Sequence, residues 1–215
     1  MSTTRTERSR DLILDAAQTI FQDRDFASTS VEEIAQRAGL TRKTVYNLFS
    51  SKEEIVAQLR TRAEARYYPP IRARIGSDHA AMAILEDTLI GHGRWCAANQ
   101  NFAILALFGS ANKPSSTVES GDGAFIALVR EILVLGQRQG VIRKDEDAGI
   151  MALFLLGAHA QTLRHMLATG SFQDGKLKYV LRLLIEGIGA RSTPSKAPTR
   201  QRQKGSSKVN AKRRT

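Results

Sequence analysis

Cysteine is almost missing from this chain: Cys96 is the only one in 215 residues, which excludes an internal disulfide framework and suits a reducing compartment. Aromatic residues are also sparse at 6%, and Trp95 is the single tryptophan. No run approaches the roughly twenty apolar residues a membrane span needs, since the longest candidate, 148–160, is cut by Gly149 and Gly157. No apolar leader with a cleavage site opens the chain, which predicts a cytoplasmic protein without membrane partners. Period-two alternation is never sustained, so a sheet is not expected. A Gly-rich phosphate loop, a nucleophile elbow and paired carboxylates are all missing, so neither an enzyme nor a cofactor is expected. His92 and Cys96 stand one helical turn apart but lack further ligands, and His159 and His165 fall on different helix faces, so no metal is expected.

The positive charge is concentrated in one region. The net charge is +11, yet the first 66 residues carry 11 Lys and Arg against 10 Asp and Glu. The tail from Arg191 to Thr215 carries 9 basic residues, no acid and no aromatic, with Val209 its one large aliphatic. Such a segment cannot bury enough apolar surface to order itself, and 191–215 is expected to be disordered. It suits either salt-sensitive attraction to DNA or a plain solubilising extension. Basic groups in the nearly neutral N-terminal region must work by placement.

What is present is a compact helix-turn-helix signature between Ser30 and Glu54. Ser30-Val31-Glu32-Glu33 and Ser51-Lys52-Glu53-Glu54 both read as capping boxes. Between them, Ala38-Gly39-Leu40-Thr41 is a tight turn: Gly39 takes the left-handed conformation that closes one helix, and Thr41 caps the next. That next helix, Arg42 to Phe49, opens with two cations and offers Arg42, Lys43, Thr44 and Tyr46 outward, a shape suited to a DNA major groove. An amphipathic first helix from about Glu7 to Asp23 carries Ile13, Ala16, Ala17, Ile20 and Phe21. Against it, Ile34, Ala35, Ala38, Leu40, Val45, Leu48 and Phe49 build a three-helix core.

Residues 10–59, through Ser-Val-Glu-Glu-Ile-Ala-Gln-Arg-Ala-Gly-Leu-Thr-Arg-Lys-Thr-Val-Tyr-Asn-Leu-Phe and the following Ser-Ser-Lys-Glu-Glu-Ile, resemble the N-terminal domain of the TetR/AcrR transcriptional regulators. The resemblance implies an all-α homodimer. It has a homeodomain-like three-helix DNA-binding head and a helical C-terminal domain that binds a small-molecule effector and dimerises. It implies that Arg42 and Lys43 reach base edges, that Thr44 and Tyr46 touch phosphates or bases, and that Lys52 grips a phosphate at the start of the fourth helix. Thr41 adds a phosphate contact, and Asn47 completes the DNA-binding set. The chain departs from the family pattern twice: Asn47-Leu48 replaces an aromatic or His-containing pair, and Asp25 stands where Gly is usual, a position Asp tolerates in the left-handed conformation.

The organisation expected is a head at 1–50, a linking helix at 51–75, a helical effector-binding and dimerisation domain at 76–190, and the tail. The linking helix should break or kink near Pro69-Pro70. Further helices are predicted near 78–98, 101–111, 122–139, 145–168 and 174–190, with loops at 113–116 and 120–123. Met82, Leu89, Trp95, Phe102, Phe108 and Phe125 can line an effector pocket, with His92 and Cys96 as polar contacts, although simple core packing is favoured over pocket lining for each. Leu177, Val180, Leu181, Leu184, Ile185 and Ile188 form one stripe of the last helix. By the resemblance, Phe154, Ala158, Leu177, Leu181, Leu184 and Ile188 form the dimer interface.

Two functions follow from this reading. One is a repressor that binds a palindromic operator on double-stranded DNA as a homodimer and is released by an effector. The other is a ligand-independent DNA-organising protein.

Overall fold

The computed structural model describes residues 4–101, 103 and 122–188. Most of the predicted helix at 101–111, with its Phe102 and Phe108, and the tail from Arg191 fall outside them. Eight helices are defined among the described residues: α1 (Arg5–Asp23), α2 (Val31–Arg37), α3 (Arg42–Leu48), α4 (Lys52–Gly76), α5 (Ala81–Ala98), α6 (Asp122–Arg138), α7 (Ala148–Ala168) and α8 (Asp174–Ile188). The all-α expectation holds for them.

The N-terminal helices start where side chains satisfy free backbone donors. Thr4 and Glu7 form a reciprocal capping box before α1, and Ser30 and Glu33 form the one predicted before α2. The third box is only half made. Ser51 accepts from the Glu54 amide at 3.2 Å, but the Glu54 carboxylate reaches past it to the Ser50 amide at 2.6 Å and hydroxyl at 2.7 Å. Gly39 adopts φ +67°, as the turn requires. Asp25 is not left-handed; its carboxylate instead accepts from the Ser28 amide at 2.9 Å, which closes the loop after α1.

Two hydrophobic cores result. In the head, Ile13, Ala17, Phe21, Ile34, Val45, Phe49 and Ile55 are almost fully buried. Val56 and Leu59 join them, so the head takes in the first turns of α4 instead of ending at 50. The second core gathers Ile84, Leu85, Leu89, Val129, Ile132, Leu133, Leu155, Leu163, Leu177 and Leu181 from α5 to α8. Gly93 lets α5 and α8 approach closely: a Cβ there would lie 2.6 Å from a Leu177 methyl.

α4 joins the two cores and does not end at the proline pair. It runs through Pro69 and Pro70 to Gly76, although each proline removes a helical hydrogen bond. Tertiary contacts on the far side hold the continuation. Ile71 and Ile75 pack against the body core, Arg72 pairs with Glu131 through two bonds of 3.2 Å, and Arg74 donates to Asp87 at 2.9 Å. At the near end Arg62 ties α4 to α1 through Asp15 at 2.6 Å and Gln18 at 2.7 Å. No helix among the described residues is long and apolar enough to cross a membrane.

Candidate nucleic-acid interface and body cavity

α3 is seven residues long and divides its surface sharply. Val45 and, just beyond the helix, Phe49 anchor it in the head core, with Leu48 partly buried beside them. Arg42, Lys43, Tyr46 and Asn47 stand exposed on the opposite side, linked by the three- and four-residue spacings that put side chains on one helix face. Thr41 is the N-cap: its hydroxyl accepts from the Thr44 amide at 3.1 Å and shares a hydrogen bond with the Thr44 hydroxyl at 2.8 Å. Every predicted residue of α3 except the half-buried Thr44 is thus open to a groove.

Arg42 is held ready at the surface. Its guanidinium lies over the Tyr46 ring at 5.3 Å from the centroid and pairs with Glu32 of α2. Contact with the Tyr46 side chain first, and the Glu32 carboxylate second, raise its already high pKa. Sequence reasoning missed Glu32, whose only signal is its place on the exposed side of the neighbouring helix.

Lys52 is used differently from expectation. Its ammonium donates to the Phe26 carbonyl at 2.5 Å and the Thr29 carbonyl at 2.6 Å and sits 4.0 Å from the centre of the Phe26 ring. It pins the α1–α2 loop to the start of α4, and these bonds occupy two of its three donors.

In the body, α4, α5 and α6 line a half-open cavity of about 390 Å³. Of the residues expected around a pocket, His92, Trp95, Cys96 and Phe125 line it, and Phe125 lies 4.6 Å from His92 and 6.1 Å from Tyr68, ring centre to ring centre. Met82 and Leu89 do not line it. Leu89 is fully buried and Met82 packs against the same body core, because the α5 face that carries them turns away from the cavity. The wall that sequence reasoning missed is α4, which supplies Ala63, Tyr67, Tyr68, Pro70 and Ile71. The tyrosine pair before the prolines was its one legible sign.

Behind the cavity, His92 Nδ1 and His159 Nε2 share a hydrogen bond of 3.2 Å, and the Cys96 sulfur lies 3.7 Å from His92 Nε2. Burial lowers the pKa of His92 to about 4. Burial, with His92 as a second cause, lowers that of His159 to about 3. Burial pushes the Cys96 thiol up to about 12. All three are neutral at pH 7, and among the described residues no group of three His, Cys, Asp or Glu is placed to hold a metal ion.

A smaller hollow lies between α1, α4 and α5, lined in part by Gln18, Arg62 and Asn99. Trp95 borders both hollows and packs against both hydrophobic cores.

The α7–α8 surface corrects the predicted interface. Leu177 and Leu181 are buried in their own core, at 0% and 2% exposure, and Leu184 packs partly against it. The side chain of Ile188 is outside the described set. Phe154 is 58% exposed, as an interface residue should be, and Ile150, Leu153, Tyr179 and Leu183 are exposed with it. Ala158 is half-buried beside them. The cleanest periodic stripe of α8 faces inward, and a second apolar stripe faces out.

Residues 13–59 match the family model described as bacterial regulatory proteins, tetR family. An uncharacterized HTH-type transcriptional regulator of Mycobacterium tuberculosis is 47% identical over 55 residues, so the chain spans about a quarter of the length of the mycobacterial relatives it matches. The HTH-type transcriptional repressor KstR2 of Rhodococcus jostii is 24% identical over 204 residues, covering 84% of this chain and 91% of that one. The fold as a whole matches that of Thermus thermophilus FadR, a TetR-family transcriptional repressor crystallised with lauroyl-CoA, with a TM-score of 0.70 at 23% identity over 87% of this chain and 99% of that one. The motif and the fold agree: residues 13–59 carry the N-terminal domain of the tetR family of bacterial regulatory proteins, and the fold of the chain is that of a TetR-family repressor.

Proposed function

We propose that this protein is a transcriptional repressor that binds a palindromic operator as a homodimer and leaves it when a small molecule occupies the body cavity. The observation that carries the reading is the division of α3. Its apolar residues are committed to the head core, while Arg42, Lys43, Tyr46 and Asn47 are presented together. Arg is suited to a bidentate contact with guanine, and Lys43 and Tyr46 to bases or phosphates on the same groove wall.

The outward stripe of Ile150, Leu153, Phe154, Tyr179 and Leu183 supports dimerisation, because so large an apolar surface is unfavourable in water. Two heads related by a two-fold axis would read half-sites about one helical turn apart, roughly 34 Å. The repressors KstR2 and FadR, similar over most of their lengths, support repression over activation. The Thermus protein's lauroyl-CoA supports a ligand in the body.

Trp95 supports the coupling. A ligand against its ring would push on a side chain that also packs against the head core. To shift the operator equilibrium, the ligand must bind the released arrangement more tightly than the DNA-bound one.

Selection of genomic fragments by the full chain at physiological salt tests the reading. An inverted repeat should emerge, preferred over random DNA by at least about a thousandfold. If no sequence is preferred, the repressor reading yields to a ligand-independent DNA-organising role.

A further inference from the structure

The body cavity contains one polar group that the fold leaves unanswered. Thr88 of α5 is 7% exposed, lines the cavity, and its hydroxyl has no hydrogen-bond partner among the described residues. Threonines inside helices commonly return their hydroxyl to the carbonyl four residues back. Thr19, Thr61 and Thr162 do so here, at 2.9, 3.1 and 2.8 Å. Thr88 makes no such bond to Ile84. A buried hydroxyl without a partner is destabilising, and a valine of the same shape would avoid the loss.

The groups around that hydroxyl narrow what would satisfy it. Tyr68 and Phe125 are stacked at 23° between ring planes, and Phe125 also meets His92 at 4.6 Å. With Trp95 they make a wall for a flat or compact ring. His92 has both nitrogens engaged, one by His159 and one near the Cys96 sulfur. Burial keeps both imidazoles neutral. The imidazoles therefore offer no cation beside Thr88, and of the three arginines that line the cavity, Arg60, Arg66 and Arg74, Arg74 is already paired with Asp87; a carboxylate placed beyond their reach would lose its hydration without a partner. A pure hydrocarbon would fit the wall but leave Thr88 unsatisfied. An uncharged oxygen does neither.

We propose that this cavity binds a compact ring compound carrying one uncharged hydroxyl, the ring among Tyr68, Trp95 and Phe125 and the oxygen hydrogen-bonded to the Thr88 hydroxyl. The proposal rests on the reading of the cavity as an effector site and names the chemical class of the effector. The volume of about 390 Å³ lies at the small end of ligand sites and suits one or two rings.

Three probes of one shape separate the alternatives: p-cresol, toluene and p-toluate, titrated calorimetrically into the full chain without DNA. p-Cresol should bind roughly tenfold or more tighter than either of the others, the order expected of one buried hydrogen bond. Thr88→Val should bring p-cresol within about twofold of toluene without lowering the thermal midpoint. Thr88→Ser, which keeps the hydroxyl, should retain the preference and guards against a folding defect in the valine variant. Equal binding of p-cresol and toluene, tightest binding of p-toluate, no binding of any probe, or a preference that survives Thr88→Val would each overturn the proposal. Operator release is scored separately. p-Cresol that binds yet leaves the operator complex intact overturns the effector reading and spares the chemistry of the site. A selected operator with no p-cresol binding overturns the site and spares the repressor.

Discussion

Replacing Lys52 with Met keeps the length of the stem and removes only the ammonium. That ammonium makes two bonds to carbonyls, at 2.5 and 2.6 Å, and lies 4.0 Å from the Phe26 ring centre. Bonds to a charged group are worth about 1.5–3 kcal/mol each when well shielded. Lys52 is only half-buried, so solvent screening takes back much of this. The set then comes to about 2 kcal/mol, and the loss leaves the carbonyls of Phe26 and Thr29 without their donor. For a chain of this size about 2 kcal/mol corresponds to a fall in the thermal midpoint of roughly 4–8 °C. The checks are thermal unfolding followed by circular dichroism and binding to random DNA across a salt series. Lys52→Met should lower the midpoint and leave the salt slope unchanged, because the charge serves the loop. An unchanged midpoint with a slope reduced by about one would refute the argument and assign the charge to a phosphate.

Arg42→Ala should weaken operator binding by about ten- to a hundredfold and relax discrimination at one position per half-site; equal loss on specific and random DNA, measured by competition, would move Arg42 to the backbone. Leu153→Glu should give folded monomers by sedimentation, because Leu153 is 58% exposed in the single chain, whereas Leu181→Ala, at 2% exposure, should cost about 2–5 kcal/mol of folding stability by cavity formation. A Leu153→Glu dimer would place the interface elsewhere. Stability should also depend on pH through His92 and His159, whose folded pKa values near 4 and 3 lie below the ordinary 6.5. The unfolded chain binds the extra protons, so stability is full above about pH 6.5 and falls as pH drops toward 4. Denaturant titrations at pH 7.5, 6 and 5 should show this fall, and it should shrink in His159→Phe.

The head was almost wholly legible because its signals are local. Thr41 caps within three residues, Gly39 needs one unusual dihedral, and Val45 and Phe49 declare the buried side of α3 by spacing. The body was legible as helices but not as surfaces. Periodicity shows that α8 carries an apolar stripe; it does not say whether Leu177 and Leu181 meet their own chain or Tyr179 and Leu183 meet another. Met82 and Leu89 have the same composition as a pocket wall and the wrong angular position on α5. Lys52 reads as a cation near a helix start whether it faces a phosphate or two carbonyls twenty-odd residues upstream. Pro69 and Pro70 signal an end to α4, and only the long-range pairs of Arg72 and Arg74 keep the helix going.

That continuation gives α4 uneven mechanical properties along its length. The carbonyls of Ala65 and Arg66 lack helical donors, because the residues four positions on have no N–H. A rod with two missing struts is compliant at that level and stiff on either side. The weak level lies where Tyr68 and Pro70 meet the cavity, while the stiff N-terminal arm is bolted to the head through Ile55, Leu59 and Arg62. A small bend at the joint swings the far end through an arc set by the roughly 25 Å of helix between Pro69 and Lys52. Bending therefore concentrates beside the cavity and displacement concentrates at the head, without any turn of α4 having to unwind.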